Sequence, residues 1–218
     1  MSYPQDVTSN ATERGAGASP LRLRLRRETA GLHQGLDARL ALLTPDLSID
    51  RYRCVLQMFY GFYAPIEAGL LRLADVAPSL GLPLRARAEL LGDDLLTLGM
   101  SRRDIAALPL CTDLPRLVGP EELAGCLYVL EGACLGGQAL APVLQRRLAV
   151  AGGSGASYFV GDGAATAARW ARVVAWLDDL VGARARSEEI VASACATFLT
   201  LTRWVERQQA SQVAPWSI

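Results

Sequence analysis

Tyr128-Val129-Leu130-Glu131-Gly132-Ala133-Cys134-Leu135-Gly136-Gly137-Gln138 places three glycines inside what otherwise reads as one helix, from about Glu121 to Arg147. A glycine in a helix interior costs roughly 0.5–1 kcal/mol relative to alanine, so three cost about 2–3 kcal/mol. Nothing marks a helix end there, because apolar residues continue through Leu140, Val143, Leu144 and Leu148. Gly132 and Gly136 fall one turn apart on one face, and Gly137 is expected to widen the bare strip. Such a strip serves one of two purposes: close packing against another helix, or contact between backbone and a large flat ligand. The glycines alone leave both open.

Working outward, the rest of the chain is helical in period. Ser19 followed by Pro20 reads as an N-cap and first helical residue, opening a helix that runs to about Leu43 and stops at Thr44-Pro45. Asp46–Ser48 opens a second that continues toward Leu73, with a kink or break expected near Phe62–Tyr63 because Pro65 falls inside it. A third covers about Leu84–Leu98, and Ser101 caps a short fourth toward Ala107. Pro109 to Pro120 is a proline-bearing loop, and Ala151–Gly155 is a small-residue surface loop. Two last helices cover about Gly163–Val181 and Ser187–Gln208. No strand-like alternation and no internal repeat is found. The expectation is one all-α domain over 20–209, with a disordered leader at 1–19 and a C-terminal tail at 210–218.

Composition narrows the function. The 218 residues carry 22 basic and 22 acidic groups, so no global charge favours nucleic acid or an anionic membrane. No apolar run is read as approaching the roughly 18–20 residues of a membrane span. The polar N-terminus lacks the apolar core of a signal peptide, and the five scattered cysteines suit a reducing cytoplasm. Those cysteines form no CxxC pair and no zinc-like cluster with histidine. His33 is the single histidine, too few for the two Glu-x-x-His motifs of a di-iron bundle. A Ser-His-Asp triad lacks the G-x-S-x-G elbow and its strand–turn–helix setting. One imidazole does match the stoichiometry of a haem held by a single proximal histidine.

His33 lies within the first helix, flanked by Gly31 and Gly35, with Thr29 one turn before it and Leu36 and Leu40 after. Arg26 is seven residues back on the same face, about 10.5 Å along the axis. A guanidinium two turns from an imidazole suits a haem, whose propionates favour arginine's paired donors. The alternative is a lone histidine packed at a helix edge. Taken together, the imidazole helix and the bare glycine strip make a pocket for a flat ring, with little room on the glycine side. Attack on the ring's own edge, instead of on an added substrate, then follows from shape.

Leu-Arg-x-x-Thr-x-x-x-His, here Leu25 to His33, with Tyr-Val-Leu-Glu-Gly-x-x-Leu-Gly-Gly from Tyr128 to Gly137, resembles the biliverdin-producing haem oxygenases, nearest to the bacterial type associated with phytochromes. Tyr52-Arg53, Tyr60 to Glu67, and Ala196-Thr197-Phe198 ahead of Trp204 agree, so the resemblance covers about 21–208. It implies a helical bundle holding haem between the first helix and a glycine-rich distal helix. It implies His33 as iron ligand, with Gly132 and Gly136 lining the distal face. Arg26, Thr29, Tyr128, Gly137, Arg172 and Phe198 become haem contacts, Tyr128 and Arg26 at the propionates. One position departs: mammalian-type enzymes carry a carboxylate after the first distal glycine, where this chain has Ala133. Proton delivery then falls to water held by other groups. The implied chemistry opens haem, as cofactor and substrate, with O2 and an external electron donor, giving biliverdin, CO and ferrous iron. With no flavin or nicotinamide fingerprint, electrons arrive from a ferredoxin or other reductase, and a bacteriophytochrome is an expected recipient of biliverdin. The competing reading is a haem-binding sensor or carrier that does not turn over.

Overall fold

The computed structural model describes residues 19–74, 87–182 and 186–213. They form α1 (Pro20–Leu40), α2 (Ile49–Ala74), α3 (Arg87–Thr97), α4 (Arg102–Ala106), α5 (Pro120–Leu148), α6 (Ser157–Val160), α7 (Ala164–Gly182) and α8 (Ser187–Val213). Among the described residues there is no β-strand, only isolated bridges tying Ala151 to Ser154 and Gly155. The all-α expectation holds.

Local chemistry explains most boundaries. The Ser19 hydroxyl caps α1 by accepting from the Arg22 amide, and the helix ends earlier than expected because Ala41 turns left-handed at φ 51°. Ser101 and Asp104 cap each other reciprocally at the start of α4. The expected break at Pro65 is absent, and α2 runs through it unbroken. Pro65 lacks the N–H that would bond the carbonyl four residues back. That carbonyl, of Gly61, instead accepts from the Cys111 amide at 2.8 Å. Gly61 must be glycine here, since a Cβ would stand 2.4 Å from the Pro109 carbonyl and 2.6 Å from the Trp204 ring.

At the other end, α8 runs past the expected Gln208. Gln209 donates to the Arg39 carbonyl at 3.0 Å and so ties that extension to α1. Residues 1–18 of the expected leader, 84–86 of the expected third helix, and 214–218 of the expected tail lie outside the described residues.

The central element is α8, which packs against α5, α1 and α2. It buries Ile190, Val191, Ala194, Phe198, Leu201, Trp204 and Val205, a three-to-four residue rhythm. Fully burying one such side chain contributes about 1.5–3 kcal/mol. The closest crossing is at Gly125 of α5, where a Cβ would lie 2.3 Å from the Ile190 carbonyl and 2.7 Å from the Ala194 amide. Ser193 Oγ donates to the Glu122 carbonyl at 2.6 Å beside it. Helix–helix packing therefore falls on Gly125, a glycine outside the Gly132–Gly137 strip.

Ile49–Leu71 of α2 and all of α5 are long and apolar enough to cross a membrane by length and composition, which corrects the expectation that no such run exists. Their most apolar windows are 50% and 44% buried inside the fold.

Candidate active site

α1 and α5 both lean on α8 and α7. On α8, Ala194 meets α5 at Gly125, and Phe198, one turn or about 6 Å further on, meets α1 at His33. The His33 ring stands edge-on to Phe198 with centroids 5.8 Å apart. At the N-terminal end of α1, Arg22 pairs with Asp178 of α7 at 3.6 Å.

Sequence periodicity puts His33 with the apolar residues of α1, and the structure separates them. The buried stripe runs Leu21, Leu25, Thr29, Leu36 and Leu40, whereas the His33 side chain is 55% exposed. Its Nδ1 pairs with Asp37 Oδ2 at 2.9 Å, one turn along the helix. That hydrogen bond, opposed by partial burial, raises the imidazole's pKa above its ordinary value. A carboxylate on one ring nitrogen fixes the tautomer and presents the other, Nε2, as a lone-pair donor. Thr29 is buried, and its hydroxyl is used by the Leu25 carbonyl at 2.8 Å. Arg26 and Arg172 are exposed on α1 and α7.

The three glycines of the strip part company. A Cβ on Gly136 would meet nothing within 4 Å, and one on Gly132 would reach the Trp170 ring at 3.5 Å. Gly137 is buried, and a Cβ there would stand 3.5 Å from Phe159, so it does not widen the bare strip. A turn of about 100° separates it from Gly136. Phe159 belongs to α6, a helix absent from the sequence reading because four residues carry no period. Two amide bonds to Asp94, from Ser157 at 2.8 Å and Tyr158 at 2.9 Å, hold α6 in place. Ala133 is exposed, and Tyr128 lies half-buried with its ring against Trp170 at 5.4 Å.

Behind the strip lies a buried ionic cluster that sequence reasoning did not find. Glu131 accepts from Arg169 Nη2 at 2.7 Å and Nε at 3.3 Å, and from Arg87 Nη2 at 3.1 Å. All three residues are buried. Among the described residues Arg87 Nε and Nη1 find no hydrogen-bond partner, and Arg87 lines a small cavity with Tyr63, Glu67 and Leu127. Glu67 receives the first amides of α3, from Arg87 at 2.7 Å and Ala88 at 3.1 Å, and burial raises its pKa. Burial also pushes the Cys134 thiol up to about 12, leaving it protonated. The signal for the cluster was present: Glu131 follows Leu127 by four residues and precedes Cys134 by three, so it sits on the apolar stripe. Its partners, 44 and 38 residues away, were not legible.

A haem requires an imidazole nitrogen, a flat face clear of side chains, and cations for its carboxylates. His33 Nε2, the open face at Gly136 and the arginines of α1 and α7 fit those demands. Among the described residues no cluster of three or more His, Cys, Asp or Glu could hold a bare metal ion. Fold and site together describe an all-helical protein with one histidine, exposed on α1, and an uncovered glycine position on α5. The chain belongs to the haem oxygenase family, whose model, described as Heme oxygenase, matches residues 19–207. Membership makes it an oxidoreductase in general class, with haem as the group it takes. No curated protein sequence matches it.

Proposed function

We propose that this chain is a biliverdin-producing haem oxygenase, with haem lying between α1 and α5. One observation carries the reading: His33 is half-exposed with Nδ1 held by Asp37 at 2.9 Å, and a Cβ added at Gly136 of α5 would meet nothing within 4 Å among the described residues. Haem, when bound, supplies the iron at which O2 is activated by externally delivered electrons, and its ring is opened to biliverdin, CO and ferrous iron. The rest is done by the chain. Asp37 accepts from His33 Nδ1–H, which in the neutral imidazole puts the lone pair on Nε2 and makes it more basic. The Phe198 edge limits rotation of the imidazole. Gly136 lets the α5 backbone approach closely, where helix dipoles act without an intervening side chain, and at Gly132 the Trp170 ring bounds that approach. Arg26, Arg172 and Tyr128 are suited to anchor carboxylates and set in-plane orientation. Ala133 adds a methyl group and no proton carrier, so protons reach this face through water.

The electron donor is a separate ferredoxin or reductase, the compartment the cytoplasm, and a phytochrome-like acceptor a fitting destination for the product. Exposed Ala133 favours one second reading, a haem sensor or carrier without turnover. Titration with ferric haem followed by reductant in air separates the two. A one-to-one Soret band that decays into biliverdin absorption supports the oxygenase, and a band that persists under several reductants supports the carrier. A His33→Ala variant with unchanged affinity and spectrum would remove the proximal ligand from the scheme.

A further inference from the structure

The glycine strip is not symmetric. It is open at Gly136, and at Gly132 it is bounded by Trp170, whose ring carbons stand 3.5 and 3.7 Å from where a Cβ would be. The indole's six-membered edge therefore fills the space left by the missing side chain, and the ring also rests on Tyr128, centroids 5.4 Å apart. Its placement depends on the register of α7 against α5. The residue before it, Arg169, is buried and forks onto Glu131, the residue before Gly132, at 2.7 and 3.3 Å. Two-point guanidinium–carboxylate contacts resist sliding far better than apolar packing does. Arg87 closes the carboxylate from a third helix at 3.1 Å. The pairs Glu131–Gly132 and Arg169–Trp170 thus face each other across the α5–α7 contact, one locking register and the other shaping the strip.

We propose that Trp170 is a specificity-determining wall of the substrate site, and that Glu131 is its positioning residue, acting through Arg169. The proposal rests on the haem reading above. A flat macrocycle on this strip is free toward Gly136 and stopped toward Gly132, so its rotation about the His33 axis is limited from the indole side. That rotation decides which meso carbon lies under the distal helix.

Two readouts test it, one without turnover. In the ferric cyanide complex, proton NMR shifts of the haem methyl groups report in-plane rotation directly. Biliverdin isomers after turnover report the position opened. Trp170→Leu is expected to change the methyl pattern and to raise a minor isomer by roughly tenfold, the effect of about 1.4 kcal/mol. Trp170→Phe, which keeps a ring on the same root, should stay near wild type.

Glu131→Gln should move both readouts in the direction of Trp170→Leu. If that variant fails to fold, Arg87→Met/Glu131→Leu/Arg169→Met replaces the whole ionic cluster by apolar side chains, a change that buried ion pairs often tolerate. It should fold and still show the shifted pattern. Wild-type methyl shifts and isomer ratio in Trp170→Leu overturn the wall; wild-type values in the folded triple variant overturn the positioning role. The wild-type complex is recorded first, so a protein that takes up no haem refutes the underlying reading separately, and the wall falls with it.

Discussion

Gly136→Ala adds one methyl group at a helix position where nothing stands within 4 Å. In the apo protein the substitution has only the propensity effect, about 0.5–1 kcal/mol in favour of alanine. For a chain of this size that raises Tm by roughly 1–4 °C. The same methyl occupies the face on which the haem is proposed to lie. Overpacking a formed contact costs about 1–3 kcal/mol, which is roughly 5- to 150-fold in affinity. Gly125→Ala supplies the opposite control, because its Cβ would come within 2.3 Å of the Ile190 carbonyl and 2.7 Å of the Ala194 amide. Both are backbone atoms and cannot swing aside, so α5 and α8 must separate, and the overpacking cost outweighs the propensity gain. Thermal melting of the apo proteins and haem titration by absorption decide the matter. Gly136→Ala should melt higher and bind haem more weakly, and Gly125→Ala should melt lower. A Gly136→Ala protein that melts below wild type, or that binds and degrades haem normally, would refute the assignment of this face.

His33 is the one histidine, so a single imidazole resonance follows its titration. The midpoint should lie above the ordinary value, and Asp37→Asn should lower it; an unchanged midpoint would detach Asp37 from the site. Because the folded pKa is raised above the unfolded one, the Asp37 contact stabilises the apo protein fully at pH below the unfolded value. That stability is lost as pH rises through the folded pKa, so the wild-type advantage over Asp37→Asn in Tm should shrink across that window. Glu131→Ala takes the shared carboxylate from the buried Arg87 and Arg169 guanidiniums and should cost about 3–5 kcal/mol in denaturant unfolding; a loss below about 1 kcal/mol would mean water already reaches them. Gly61→Ala should also destabilise, since its Cβ would press on the Pro109 carbonyl and the Trp204 ring; a higher Tm would show that the loop carrying Pro109 yields freely.

The helices were legible because their signals are local. Period-3.6 apolar spacing, Ser19 before Pro20, and the reciprocal pair Ser101 and Asp104 act within one or two turns of backbone. Pro65 misled because the rule that proline breaks a helix is also local. Its effect is cancelled by an amide 46 residues on, Cys111, that bonds the abandoned Gly61 carbonyl. Glycine was legible as an anomaly and illegible as to cause: Gly125 serves a helix crossing, Gly137 the α6 contact, Gly132 an indole, and Gly136 open space. Which of these a missing side chain serves depends on what the rest of the chain brings to within 4 Å.

Composition and periodicity need no long-range contact, and they alone define an all-helical chain with one imidazole and an unexplained glycine strip. The exposure of His33 with Asp37 on Nδ1, and the inward turn of Glu131 to two arginines 44 and 38 residues away, come from the folded arrangement of the helices. Burial and charge pairing between distant residues depend on how helices cross. Small differences in packing across the whole chain set those crossings, and no single segment encodes them.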